Sequence, residues 1–289
     1  MNDAPQVSVI VPAYDEAESI GQVLTDLNAA LSAGDLTYEI IVVDDGSTDQ
    51  TPGIARASGA RLLQHGVNRG YGAALKTGIR AARGDRIVIT DSDGTYPADC
   101  IPKLATLLDE WDMVIGARTG RNVHMPLIRR PAKWALNQLA NYLTGTQIPD
   151  LNSGLRAFWR ETALRFFPIL PNGFSLTTTI TLAMLSENCR VHFMPIDYHE
   201  RRGRSKIHPI YDTLNFLQLI VRTVLYFNPL KVFLPLSLLF VVAGVLVGLI
   251  SKLVFGKLLD TTMIVLIVTG VQILMLGMLA DLIDKRSRI

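Results

Sequence analysis

Asp91 and Asp93 stand one residue apart, directly after the run Ile87, Val88, Ile89 and Thr90. That run reads as a buried strand, so both carboxylates fall where a strand leaves its sheet. Two anions held this close repel each other unless a cation lies between them, and oxygen ligands suit Mg²⁺ or Mn²⁺. Asp, Ser and Gly are also the ordinary residues of a tight turn. The rest of the chain decides between a turn and a metal.

The elements that would position the pair alternate. Val7–Val11, Glu39–Val43, Arg61–Leu63, Arg86–Thr90 and Met113–Ile115 read as strands, with helices predicted over Ala17–Leu31, Gly70–Ala82 and Ile101–Leu108. Such alternation predicts an α/β domain with a mainly parallel sheet, whose ligands bind outside the carboxyl ends of the strands. Three predicted strands end in polar clusters there: "PAYDE", "DDGSTD" and "DSDGT". One crevice can collect all three, which favours the metal over the plain turn.

The stretch "RGYGAALKTG" invites a phosphate-cradle reading and fails it. The third glycine of a dinucleotide fingerprint is due where Leu75 stands, and no Gly-Lys-Ser/Thr follows. Lys76 could still reach an anion near the helix start.

The chain has 289 residues, 49% of them hydrophobic and 19% charged. A mean hydropathy of +0.28 is high for an ordinary soluble domain. The excess is local: Val232–Ser251 and Thr261–Ala280 are each 20 residues without a charge. That length crosses a bilayer core of roughly 30 Å as a helix. Arg222, Lys231, Lys285, Arg286 and Arg288 flank the outer ends of this hairpin, against Lys252 and Lys257 in its connection. The bias predicts a multi-pass membrane protein with residues 1–231 and the C-terminus in the cytoplasm. The first apolar run is short and has no charged leader, so no signal peptide is expected. Two cysteines and five scattered histidines predict neither disulfide nor zinc site, and a net charge of +2 does not argue for nucleic acid.

The ordered segments "VSVIVPAYDEAESI", "IIVVDDGSTDQT", "NRGYGAALKTGI", "DSDGTYP", "VIGAR", "DLNSGLRAF" and "RRGRSK" resemble the inverting nucleotide-sugar glycosyltransferases of GT-A fold. With the terminal hairpin, the chain is similar to the dolichyl- and polyprenyl-phosphate sugar synthases. The resemblance implies a GT-A, Rossmann-like domain over residues 1–207, a juxtamembrane interfacial region over 208–231 and two transmembrane helices within 232–289. Leu127–Leu143 and Pro209–Phe227, basic or aromatic and apolar, are expected in the headgroup layer.

By the same resemblance, Asp91 and Asp93 hold Mg²⁺ or Mn²⁺ against the donor diphosphate, and with Arg118 form the catalytic set. Thr95 stands where the mannose synthases of the family have Gln, which leaves a third side-chain ligand in question. Pro12, Ala13, Tyr14, Glu16, Asp44, Asp45, Gly72, Lys76 and Ser92 are the nucleotide-sugar candidates. Arg156, Arg201, Arg202 and Lys206 are expected to close over the diphosphate. Arg118, Arg130, Lys133 and Ser153 are expected to meet the lipid phosphate. The implied activity is transfer of a sugar from GDP-mannose or a UDP-hexose to undecaprenyl or dolichyl phosphate with inversion. Membrane lipids are the other partner, and a homo-oligomer is compatible with the sequence. A processive polysaccharide synthase would need a Gln-x-x-Arg-Trp segment and more spans, and the chain has neither. The remaining alternatives are another membrane GT-A transferase with a different acceptor, and a membrane-anchored nucleotide-sugar-binding protein without turnover. Both Asp-x-Asp aspartates being present argues against the last.

Overall fold

The computed structural model describes residues 4–119, 137–142, 144–173, 175–199, 218, 221, 222, 225–256 and 260–287. Of the stretches predicted to be interfacial, 127–136 and 143 of Leu127–Leu143 and most of Pro209–Phe227 lie outside the described residues, as do Arg130, Lys133, Arg201, Arg202 and Lys206.

Five predicted strands are present, four slightly extended and β4 one residue shorter: β1 (Val7–Ala13), β2 (Tyr38–Asp44), β3 (Arg61–Gln64), β4 (Arg86–Ile89) and β5 (Met113–Ala117). The helices between them are α1 (Ile20–Ser32), α2 (Thr51–Ala57), α3 (Tyr71–Ala81) and α4 (Cys100–Leu107). The sequence reading passed over α2. It also gave no assignment to β6 (Arg156–Trp159), α5 (Arg160–Phe166), α6 (Leu176–Ser186) and β7 (Val191–Pro195). The strands form one sheet in the order β3-β2-β1-β4-β6-β5-β7. All pairings are parallel except those of β6, which runs antiparallel between β4 and β5.

Strand alternation separates two cores. Val7, Val9 and Val11 of β1 face α1 and α4, where Leu24, Leu27 and Leu104 are buried. Ile10 faces the opposite layer of α3, α5 and α6, with Leu75, Ile79 and Ile180. Removing such side chains from water stabilises the fold by about 1.5–3 kcal/mol each. Gly78 lets α3 lie close on the sheet: a Cβ there would stand 2.5 Å from Ile10 Cγ2.

The C-terminal hairpin consists of α7 (Leu230–Phe255) and α8 (Asp260–Ser287). Both contain stretches long and apolar enough to cross a membrane, Leu230–Val254 and Asp260–Ile283, and little of either is buried. Glycines set their approach: a Cβ on Gly270 would stand 2.7 Å from Val241 Cγ2, and one on Gly277 2.4 Å from Phe233 Cβ. The base of the hairpin rests on the α/β domain. Val232 packs against a cluster of Ala140, Ile148, Leu151, Leu182 and Leu185, and Phe227 meets Phe166 edge-on at 6.3 Å.

Candidate active site

The carboxyl ends of β1, β2 and β4 lie side by side, as the polar clusters predict. Two of the three following loops are tied to each other. Asp15, at φ +53°, accepts from the Thr48 N–H at 2.8 Å and donates its own N–H to Ser47 Oγ at 2.9 Å. Glu16 N–H donates to Thr51 Oγ1 at 2.8 Å and Ala17 N–H to Asp49 at 3.0 Å. These bonds hold Tyr14 and Glu16, both half-buried, at the mouth of the crevice beyond the buried Pro12 and Ala13.

Asp44 and Asp45 are buried and serve this framework. Asp44 accepts from Ser47 N–H at 3.1 Å and from Gln64 Nε2 at 3.2 Å. Asp45 binds His65 Nδ1 at 2.6 Å and accepts the N–H groups of Arg69 at 3.0 Å and Gly70 at 2.8 Å. Both aspartates of "DDGS" thus cap turns of the backbone around them. Gly72 and Lys76 are likewise engaged within the chain. A Cβ on Gly72 would stand 2.5 Å from Pro171 O, and Lys76 Nζ donates to Leu170 O and to Asn172 Oδ1. The start of α3 is covered by residues 170–173 instead of standing open to a phosphate. Burial lowers the Lys76 ammonium below its usual range.

At the end of β4 the two aspartates have different settings. Asp93 is buried, and its Oδ1 accepts the Thr95 N–H at 3.2 Å and the Thr95 hydroxyl at 2.7 Å. Thr95 is thus a donor to Asp93. Asp91 Oδ1 accepts the Tyr71 phenol at 2.8 Å, and its carboxylate rests on Gly154, where a Cβ would stand 2.5 Å from Oδ2. Burial and the Asp91 charge push the Tyr71 phenol well above its usual range, so it stays a donor. Tyr96, raised by the same causes, accepts the Gly154 N–H at 2.6 Å. Ser92 is buried between the two aspartates.

Three residues predicted to meet substrate phosphates make internal contacts. Arg118 grips Asp150 with Nε to Oδ2 at 2.7 Å and Nη2 to Oδ1 at 2.9 Å, and lies over the Tyr198 ring at 5.3 Å. Burial works against its charge, but Asp150 outweighs burial and holds the guanidinium above its ordinary range. Arg156 is fully buried in β6, opposite Ile89, and donates to Thr177 O, Ser153 O and Thr181 Oγ1. Burial lowers it to about 10 despite the support of Asp150 and Asp91, so it remains charged at neutral pH. It cannot close over a donor from there. Ser153 is fully buried and donates to Gly116 O at 2.5 Å, with no face for a lipid phosphate.

A cleft of about 420 Å³ opens beside β4, lined by Val23, Leu27, Thr90, Gly94, Tyr96 and His199 among others. A second, of about 300 Å³, shares Val23, Gly94 and His199 with it and reaches Asp93. These volumes are in the range of small-ligand sites. Among the described residues, no group of three or more His, Cys, Asp or Glu could cage a metal by itself. Two carboxylates still suit a hard ion, since Mg²⁺ is commonly held by one or two carboxylates together with phosphate oxygens and water. Tyr71, Asp150 and Gly154 were missed because nothing in their types signals a role until the fold brings them together.

The sequence profile of "Glycosyl transferase family 2" matches residues 8–167, and that of "GtrB C-terminal hairpin" matches residues 228–285. The chain belongs to glycosyl transferase family 2. It is similar to a dolichyl-phosphate hexose transferase of Haloferax volcanii, 35% identical over 70% of this chain and 87% of the relative. An undecaprenyl-phosphate 4-deoxy-4-formamido-L-arabinose transferase of Shewanella sediminis is 28% identical over 96% of this chain and 87% of its own length. In fold it is similar to the glucosyl-3-phosphoglycerate synthase of Mycobacterium tuberculosis bound to UDP, with TM-score 0.60 at 23% identity over 76% of this chain and 80% of that one. The same synthase with Mn²⁺, UDP and glucosyl-3-phosphoglycerate gives TM-score 0.57 at 26% identity, covering 76% and 79%.

Proposed function

We propose that this protein transfers a sugar from a nucleotide diphosphate donor to a polyprenyl phosphate at the membrane surface, with inversion at the anomeric carbon. The observation that carries the reading is the segment Ile148–Gly154. Ile148 and Leu151 pack beside Val232 at the base of the apolar hairpin, and Gly154 touches the Asp91 carboxylate. Acceptor lipid and donor chemistry therefore meet across one short loop. The names of the relatives, which act on dolichyl and undecaprenyl phosphates, support the acceptor.

Residues 1–207 act as the catalytic unit, 208–231 lie at the interface and 232–289 anchor the chain, with the catalytic unit and C-terminus cytoplasmic. Tyr14 and Glu16 flank the nucleotide, whose uridine or guanosine identity stays open between UDP-hexose and GDP-mannose. Asp91 and Asp93 hold Mg²⁺ or Mn²⁺, in keeping with the Mn²⁺ in the glucosyl-3-phosphoglycerate synthase complex. That ion, when bound, offsets negative charge developing on the leaving diphosphate. Arg130 and Lys133 are the cations proposed for the lipid phosphate, and Arg201, Arg202 and Lys206 those for the donor.

No catalytic base is needed on the acceptor. A phosphate monoester has a second pKa of about 6 and is already anionic at neutral pH. The chain's own part is alignment in a pocket that excludes water. The test is a donor screen: purified full-length protein, radiolabelled nucleotide sugars and a short polyprenyl phosphate. Label should move into the lipid fraction from one donor and depend on added Mg²⁺ or Mn²⁺. If no donor labels polyprenyl phosphate while one labels a soluble acceptor, the lipid assignment is wrong.

A further inference from the structure

The motif "NRGYG" remains without a task once the phosphate-cradle reading fails. Its geometry supplies one. Asn68 Oδ1 and Asp45 Oδ2 both accept the Gly70 N–H, at 3.1 and 2.8 Å, while Asp45 Oδ1 also takes the Arg69 N–H. Gly70 itself sits at φ +98°, where an L side chain is strained. A Cβ on it would lie 2.6 Å from Asn172 O, and Gly72 is equally tight against residues 171–173. The residue between these two pinned glycines is Tyr71, first in α3. Its phenol donates to Asp91 Oδ1 at 2.8 Å.

We propose that Tyr71 is a positioning residue that fixes the Asp91 carboxylate in its working orientation, and that "NRGYG" is conformationally specialised to aim it. The inference rests on the proposed role of Asp91 in holding the divalent ion. Tyr71 grips one oxygen while the Gly154 backbone blocks the other side, so the carboxylate is confined between them. Without the phenol, Oδ1 of Asp91 loses this hydrogen bond, and the ion site is less well preorganised. The second "DDGS" aspartate, Asp45, then acts on the site at one remove, by holding the backbone that carries Tyr71.

The experiment titrates Mn²⁺ into full-length wild type, Tyr71→Phe and Asp91→Ala with UDP or GDP present, following free Mn²⁺ by electron paramagnetic resonance. Donor KM and kcat are measured in parallel. Tyr71→Phe keeps the ring and removes one hydroxyl. The expected result is Mn²⁺ binding about tenfold weaker per folded molecule, the scale of a hydrogen bond to a charged group, with kcat lowered more than donor KM is raised. A merely structural tyrosine would reduce the folded fraction and leave the affinity of that fraction unchanged. Mn²⁺ affinity and kcat both within about twofold of wild type would overturn the inference. If Tyr71→Phe does not fold, Tyr71→Leu, which also lacks the hydroxyl and adds no metal ligand, is read by the same criteria. Asp91→Ala separates the failures. If it weakens Mn²⁺ binding and Tyr71→Phe does not, only the role of Tyr71 falls; if it binds Mn²⁺ like wild type, the metal assignment falls and takes the inference with it.

Discussion

Arg118 and Asp150 form a two-pronged ion pair, both guanidinium-to-carboxylate contacts lying under 3 Å, with Asp150 almost wholly enclosed. The pair joins the end of β5 to the loop that carries Gly154. Arg118→Lys keeps a positive charge but cannot occupy both oxygens. It should lower stability by about 1.5–3 kcal/mol, measured by thermal or denaturant unfolding. Activity should fall with it. A lysine variant with wild-type stability and a raised acceptor KM alone would return Arg118 to the lipid phosphate.

Asp93→Asn preserves size and the ability to accept from Thr95, and removes only charge. Turnover should drop by about 10²–10³-fold, as for loss of a preorganised electrostatic contact, with little change in melting temperature. Excess chelator should abolish wild-type activity, and Mg²⁺ or Mn²⁺ should restore it. Full turnover in chelator would remove the ion from the chemistry.

Gly72→Ala should destabilise by about 1–3 kcal/mol, because its methyl would press on the backbone of residues 171–173. Gly173→Ala is the control, since a Cβ there meets nothing within 4 Å. Equal melting temperatures for the two variants would contradict the close packing at the start of α3.

Glu39 should give the domain a defined acid sensitivity. Burial alone would raise its carboxyl, but hydrogen bonds from Ser8 at 2.7 Å and Arg83, with the Arg83 charge, bring it below its ordinary 4.5. A depressed folded value contributes stability that is complete above the unfolded value and lost as pH falls through the folded one. The melting-temperature gap between wild type and Glu39→Gln should therefore be constant above pH 4.5 and shrink below it. A gap that does not change with pH would rule out the linkage.

Much of this architecture is visible in the chain because β1, β2 and α3 obey the simple periods of buried strands and amphipathic helices. The elements that escaped do not. β6 begins with Arg156, a residue that argues against a buried strand until Thr177, Thr181 and Ser153 are seen to accept its hydrogen bonds. α6 opens with "LTTTIT", a β-branched run that favours a strand. The segment is helical nonetheless, and within the helix Thr179 and Thr181 donate to the carbonyls of Ser175 and Thr177 one turn back. At the site, Asp91 and Asp93 announce themselves by type and spacing. Arg118, Arg156 and Ser153 carry the right chemistry too, yet the fold spends it internally. Tyr71 shows the converse: an aromatic among glycines has no evident chemistry until α3 is laid beside β4.

The loop between the hairpin base and Asp91 gives the anchor a mechanical meaning. A bilayer that thins or thickens changes the tilt of a spanning helix. Tilt of α7 bears on Val232, and through it on Ile148 and Leu151. The same backbone runs on to Gly154, the surface against which the carboxylate is seated. The hairpin base and the seat of the Asp91 carboxylate are thus the two ends of one short segment.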